Sequence, residues 1–294
     1  MKDRNAAQQM PSHHQHLLNI AYRLVRQQSV DGSWSAFQLR PGGSNHWTTA
    51  AALTALGSVA RRLNKLPGWL RQSQQRGWMR LRKDALNHAL GFNSVTPTDA
   101  DSTTWLCRAL VQHCFNLKNH HQDDFAVYKN WLTKNLNYLE SHIDGTCLGM
   151  MTYIESDRIL EFVGQPGIQS SWLAVHYCVT VNAVQLGQEL QEFLPDICGD
   201  LARRFMLLHF KNEPFWWTDS IVIDLIQKKY QLFDQFIDLP SLTLRVPFHQ
   251  DQTGQGSSYS RFSNVEGGVC EDNGTFMNTL FLLSLANQPS PHSQ

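Results

Sequence analysis

Apolar residues recur at helical spacing along most of the chain. Leu17, Ile20, Ala21, Leu24 and Val25 mark one face of a helix that stops before Ser29-Val30-Asp31-Gly32. The stretch through Ala51, Leu53, Ala55 and Leu56 reads as an almost uncharged helix. Residues 73–91 read as a more polar one, with Gly91 in the place of a C-cap. Residues 101–117 are apolar, 124–142 amphipathic, 170–186 apolar and 189–210 amphipathic. Residues 217–229 are apolar at first, and 273–286 are apolar again. Strand-type alternation is weak and is confined to Leu242-Thr243-Leu244-Arg245-Val246.

Polar-faced helices therefore alternate with apolar ones. The apolar members begin near residues 47, 101, 170, 219 and 273. That spacing, roughly 50 to 70 residues, is that of a repeated helix pair. A run of such pairs closes naturally into a ring, with apolar helices inside and amphipathic ones outside. The expected fold is all-α, a single α/α toroid of five to six inner/outer helix pairs. It would span residues 16–287, between loose ends at 1–15 and 288–294. Trp47-Thr48, Asp101-Ser102, Ser170-Ser171 and Asp219-Ser220 each put a Ser or Thr where an N-cap belongs. Asn273-Gly274-Thr275 is a looser fifth case. In a closed ring these starts gather at one mouth, where positive helix ends meet Asp99, Asp101, Asp219, Glu271 and Asp272. Residues 239–269 break the pattern as a long loop that could cover this mouth.

Composition narrows the partners. Lys plus Arg equal Asp plus Glu at 25 each, which leaves no electrostatic footprint for nucleic acid. No apolar run approaches the roughly 20 residues that span a bilayer, so a peripheral membrane contact is the one kind left open. The first sixteen residues are polar and lack the apolar core of a signal peptide. Six cysteines without a CxxC motif point to a reduced, cytoplasmic protein. The oligomeric state stays open. Nine tryptophans fit either an aromatic-lined interior or a well-filled core.

Pro97-Thr98-Asp99-Ala100-Asp101-Ser102-Thr103-Thr104-Trp105 carries the clearest chemistry. Two carboxyls two residues apart stand at a helix start, where dipole and free N–H groups favour anions. Like charges so close also oppose double ionisation, so one carboxyl can keep its proton near neutral pH and serve as a general acid. The plainer reading, a cap and a first-turn acid, stands beside it. Asp219 follows Phe215-Trp216-Trp217-Thr218, a set that either stabilises a cation by its ring faces or packs a core beside a cap. Trp47, Trp105 and Trp172 occupy like places in three pairs, and Asp272 belongs to a polar cluster at another inner start. His13, His14, His16, His120 and His121 read as solvated.

Gln28 followed by Asp31-Gly32-Ser33-Trp34 resembles the repeat motif of squalene cyclases, a Gln and a Gly-x-Trp after an outer helix. Tyr138-Leu139 through Asp144-Gly145 is similar to a degenerate copy, with Cys147 in the place of the Trp. Asp99-Ala100-Asp101-Ser102-Thr103 resembles the Asp-x-Asp-Asp-Thr motif of class II terpene cyclases, with Ser102 replacing the third Asp. The resemblance implies a toroid of the squalene cyclase and prenyltransferase β-subunit kind, in single-domain form. It implies that Asp101 protonates an isoprenoid or other apolar alkene, that Asp99 tunes it, and that aromatic walls stabilise the cation. Trp47, Trp105, Trp172, Trp216, Trp217, Asp219 and Asp272 would then bind substrate. The zinc set of prenyltransferase β-subunits is not matched, since the one Asp-x-Cys, Asp196-Ile197-Cys198, falls on an outer helix, and no metal or cofactor is expected. Two other functions fit the same ring. One is a glycosidase pairing Asp99 or Asp101 with Asp219 or Asp272. The other is a non-catalytic module for an apolar ligand or a protein partner.

Overall fold

The computed structural model describes residues 13–39, 42–63, 65–85, 88–117, 122–146, 148–154, 173, 175–208, 261–263, 269–271 and 275–287. These are mostly helical. The helices are α1 (His13–Arg26), α2 (Asn45–Arg62), α3 (Gly68–Ala85), α4 (Ala100–Leu117), α5 (Gln122–Glu140), α6 (Tyr177–Phe193), α7 (Pro195–Met206) and α8 (Thr275–Ala286). Two short antiparallel hairpins accompany them, β1 (Gln38–Leu39) with β2 (Gly42–Gly43), and β3 (Arg261–Ser263) with β4 (Val269–Glu271).

Four helices form an inner arc. α8 packs on α2, α2 on α4 and α4 on α6. Each is buried along most of its length, as its nearly uncharged sequence requires. The amphipathic helices lie outside: α3 against α2, α5 against α4, α7 against α6, and α1 against α8. The inner helices run parallel. At one end the Trp47 indole of α2 reaches Asp101 of α4, and Phe276 of α8 packs on Trp47. There too Ala100 N–H bonds to Thr152 O and His176 N–H to Met150 O, which ties the starts of α4 and α6 to one short segment. At the other end Arg62 of α2 donates to Ala286 O of α8, and the Arg61 guanidinium lies 4.0 Å from the Phe193 ring of α6.

The first repeat motif fastens an outer helix to its neighbours. Gln28 donates to Gly32 O and Ser73 O and accepts from Ser73 and Arg76. The fully buried Trp34 donates its indole N–H to Leu24 O near the end of α1. Gly32 sits at φ +90, and a Cβ there would lie 2.5 Å from Arg76 O, so the turn admits only glycine.

Several boundaries differ from the sequence reading. The polar outer helix covers 68–85 rather than 73–91, and Gly91 bridges to Thr98 rather than capping it. The third apolar helix starts at Tyr177, not 170; Ser170 and Ser171 lie outside the described residues. The next outer helix is 195–206 rather than 189–210, because Pro195, lacking an N–H, takes the first-turn position of a new helix. Within the expected 239–269 loop, residues 261–263 instead pair as strand β3 with β4. The expected strand 242–246 and the helix 217–229 lie outside the described residues. Among the described residues no helix is long and apolar enough to cross a membrane.

Candidate active site

Asp99 is the N-cap of α4, as in the plainer reading of the sequence, while Ser102, also offered there as a cap residue, lies inside the helix and donates to Asp99. Its Oδ1 accepts the Ser102 N–H at 2.7 Å and its Oδ2 the Ser102 Oγ–H at 2.8 Å. The residue is buried. Ser44, ahead of α2, makes no such cap. Its Oγ accepts from the N–H groups of Ala36 and Phe37 instead.

Asp101 lies in the first turn of α4 and is only partly buried. Its Oδ2 accepts the Trp47 indole N–H at 3.1 Å. Around this contact Trp47, Trp105, Phe276 and Phe37 form one aromatic cluster. Trp47 lies 4.5 Å from Phe276 and 6.4 Å from Trp105, ring centre to ring centre. Tyr153 is buried close to both acids. Burial first, then the charges of Asp99, Tyr138 and Asp101, drive its pKa well up.

Burial raises both carboxyls. Asp99 is pushed up to about 8 by burial and then by the Asp101 charge, against the pull of the Ser102 donors. Asp101 is pushed up to about 6 by burial, against the indole of Trp47 and the amide of Asn182. Groups this strongly linked titrate as a pair, so between about pH 6 and about pH 8 the pair holds one proton. The higher value falls on Asp99. Yet both Asp99 oxygens already take Ser102 donors, whereas Asp101 is the carboxyl open to a second molecule.

Below the acids the wall between α4 and α6 is polar. Arg108, fully buried, grips both Glu189 oxygens at 3.1 and 2.7 Å and donates to Asn182 Oδ1 at 2.8 Å. Its guanidinium also lies 4.7 Å from the Trp105 ring. Gln112, one turn on, is buried with neither amide atom hydrogen-bonded. The sequence reading missed Arg108, Glu189, Asn182, Tyr153, Phe37 and Phe276. The available signal was a lone Arg in α4 and Glu189 in the last third of α6, inside helices otherwise nearly free of charge. Trp172, Trp216, Trp217, Asp219 and Asp272 lie outside the described residues, so of the glycosidase pairing only Asp99 and Asp101 are described. Among the described residues no three His, Cys, Asp or Glu side chains gather as a metal site.

No protein-family profile and no curated sequence matches the chain. Solved structures do. The type II terpene cyclase MstE from Scytonema, in its apo form, aligns at TM-score 0.60 with 14% identity, over 94% of this chain and 98% of that one. A variant of the same enzyme bound to geranylgeranyl dihydroxybenzoate aligns at 0.61 with 14% identity, over 93% of this chain and 97% of that one. The fold is an α/α toroid. A protein from Actinoplanes aligns with this toroid at 0.52 with 17% identity, over 74% of this chain and 59% of that one. Against MstE complexes with product and substrate, the toroid spans 58% and 57% of their chains.

Proposed function

We propose that the chain is a class II terpene cyclase-like enzyme in which Asp101 protonates an alkene of an apolar isoprenoid substrate. One observation carries this reading. Asp101 is a carboxyl raised toward neutrality, partly open, and hydrogen-bonded by an indole inside an aromatic cluster where the inner helices begin. The proton passes from Asp101 to one alkene carbon, the π pair becomes the new C–H bond, and the other carbon is left cationic. Aromatic faces then stabilise that cation. Asp99 supports the step by sharing the pair's proton and, when ionised, by opposing a second charge on Asp101. The soluble, cytoplasmic setting expected from the cysteine pattern belongs to the same proposal.

The test uses linear isoprenoids, including geranylgeranyl dihydroxybenzoate, the compound bound by the Scytonema variant. The cyclised cation then loses a proton from a neighbouring carbon to form an alkene, so the product is an isomer of unchanged mass, and in D2O it carries one deuterium in place of a hydrogen. Asp101→Asn is expected to lower turnover by at least about 100-fold with the fold intact. Full activity in Asp101→Asn, or a product without deuterium, sinks the assignment.

A further inference from the structure

Two buried glutamines on the inner wall carry amide atoms without hydrogen bonds. Trp105, Arg108 and Gln112 recur at three and four residues along α4 and so share one face. That face looks into the ring: Trp105 meets Trp47 of α2, and Arg108 reaches Asn182 and Glu189 of α6. His113, the next residue, packs outward on Trp78 of α3 and Tyr128 of α5. On α6, Gln185 lies between Asn182 and Glu189 on the face that meets Arg108, and Phe193 continues that face toward Arg61 of α2. Gln112 is 0% exposed and Gln185 4%. Among the described residues neither amide atom of Gln112, nor Oε1 of Gln185, has a hydrogen-bond partner. Unpaired buried amides are costly, so they point to a second molecule that pairs with them.

The charges nearby select the class of that molecule. Arg108 is held by both Glu189 oxygens. Arg61, 4.0 Å from the Phe193 ring, donates to Asn287 and stands 3.8 Å from Glu192. Both cations are thus matched by acids. The glutamines offer N–H donors and carbonyl acceptors without net charge, and a hydroxyl matches them by donating and accepting at once. A diphosphate would lose its hydration against a wall with no spare positive charge. Gln112 also lies about 16 Å further along α4 than Asp101, so a head group beside it leaves the acid to the far part of the tail. We propose that Gln112 and Gln185 form the subsite for the substrate's head, and that this head is an uncharged hydroxyl-bearing group rather than a diphosphate.

This rests on the ring as an isoprenoid-binding cavity, but not on Asp101 as the acid. Its test therefore uses saturated ligands, which offer no alkene to protonate: hydrogenated geranylgeraniol, its diphosphate and the corresponding hydrocarbon. Each is titrated into the full wild-type chain, with tryptophan fluorescence as the readout. We expect the alcohol to bind at least about 10-fold tighter than either of the others, the worth of one or two neutral hydrogen bonds. Gln112→Leu, and separately Gln185→Leu, should remove most of that preference while hydrocarbon binding holds. If water alone serves these amides, alcohol and hydrocarbon bind alike, and the proposal is overturned. Tighter binding of the diphosphate, binding of none of the three, or a preference unchanged in both folded variants overturns it as well. Should neither variant fold, the wild-type order of the three ligands decides. Should the alcohol bind as expected while Asp101→Asn keeps full turnover, the subsite stands and the acid assignment falls.

Discussion

The turns before Trp34 and before α4 each bind an Asp carboxyl to both donors of a nearby Ser, two residues on in the first and three in the second, and give it opposite electrostatics. Asp31 accepts the N–H and Oγ–H of Ser33 at 3.0 and 2.7 Å; Asp99 accepts the N–H and Oγ–H of Ser102 at 2.7 and 2.8 Å. Yet the Asp31 pKa is lowered and the Asp99 pKa is raised to about 8. Asp31 is exposed, so the cost of burial is small enough for the Ser33 donors and Arg80 to outweigh it. Asp99 is buried beside a second carboxyl, and its two donors cannot offset both. A local cap motif thus does not set a carboxyl's charge; access to water and the nearest cation do. One acid fastens a turn. The other helps hold a proton.

The sharpest way to break this comparison is through the two cations. Arg108 is the buried cation nearest the site, and Glu189 takes its charge. Arg108→Ala removes the guanidinium that grips both oxygens of the buried Glu189, and we expect a loss of about 3–5 kcal/mol in urea unfolding. Arg80 pairs with Asp31 and Asp84 at partly solvated positions, so Arg80→Ala should cost about 1 kcal/mol or less. Equal losses would mean that burial is not what separates the two regions.

Asp99 itself gives the next test. Its folded pKa of about 8 lies above its unfolded value, so the folded state binds more protons between about pH 4 and about pH 8. Its contribution to stability is complete below the unfolded value and is lost as pH rises through 8. The fall is at most about 1.4 kcal/mol per pH unit for one proton. Asn still caps a helix, so Asp99→Asn removes the titration and keeps the cap. Thermal melts should show the variant gaining on wild type steadily from pH 6 to pH 8. Parallel curves would show that Asp99 is ionised throughout.

Much of this contrast could be read from the chain. The inner helices at α2, α4 and α8 follow from long, nearly uncharged periodic runs, and Gln28 with Asp31-Gly32-Ser33-Trp34 marks a tight turn by residue type alone. Asp99 and Asp101 stood out because two acids before an apolar helix are unusual. What did not show was pairing across helices. Arg108 and Glu189 are 81 residues apart, and only the packing of α4 on α6 brings them together. The start of α6 was misplaced because Ser170 and Ser171 look like caps, whereas the helix begins at Tyr177 after His176, with no side-chain cap. Local chemistry is legible in sequence. The net charge of a buried cluster depends on which helix faces which.

The smallest effect is expected at Asp31. Its folded pKa is lowered, so its contribution is present above the unfolded value near 4 and is lost as pH falls through the folded one. The side chain is 54% exposed and its ion pair with Arg80 is screened, which limits the contribution at pH 7 to less than about 1 kcal/mol. Asp31→Asn keeps an acceptor for the Ser33 N–H and removes only the charge. The variant should therefore be slightly less stable than wild type at pH 7, with the gap closing in acid once Asp31 is protonated. This is the opposite sign to Asp99→Asn in the same Ser-bonded turn. If both substitutions shift stability the same way, the Ser donors govern both acids, and the distinction between a fastening acid and a proton-holding one is lost.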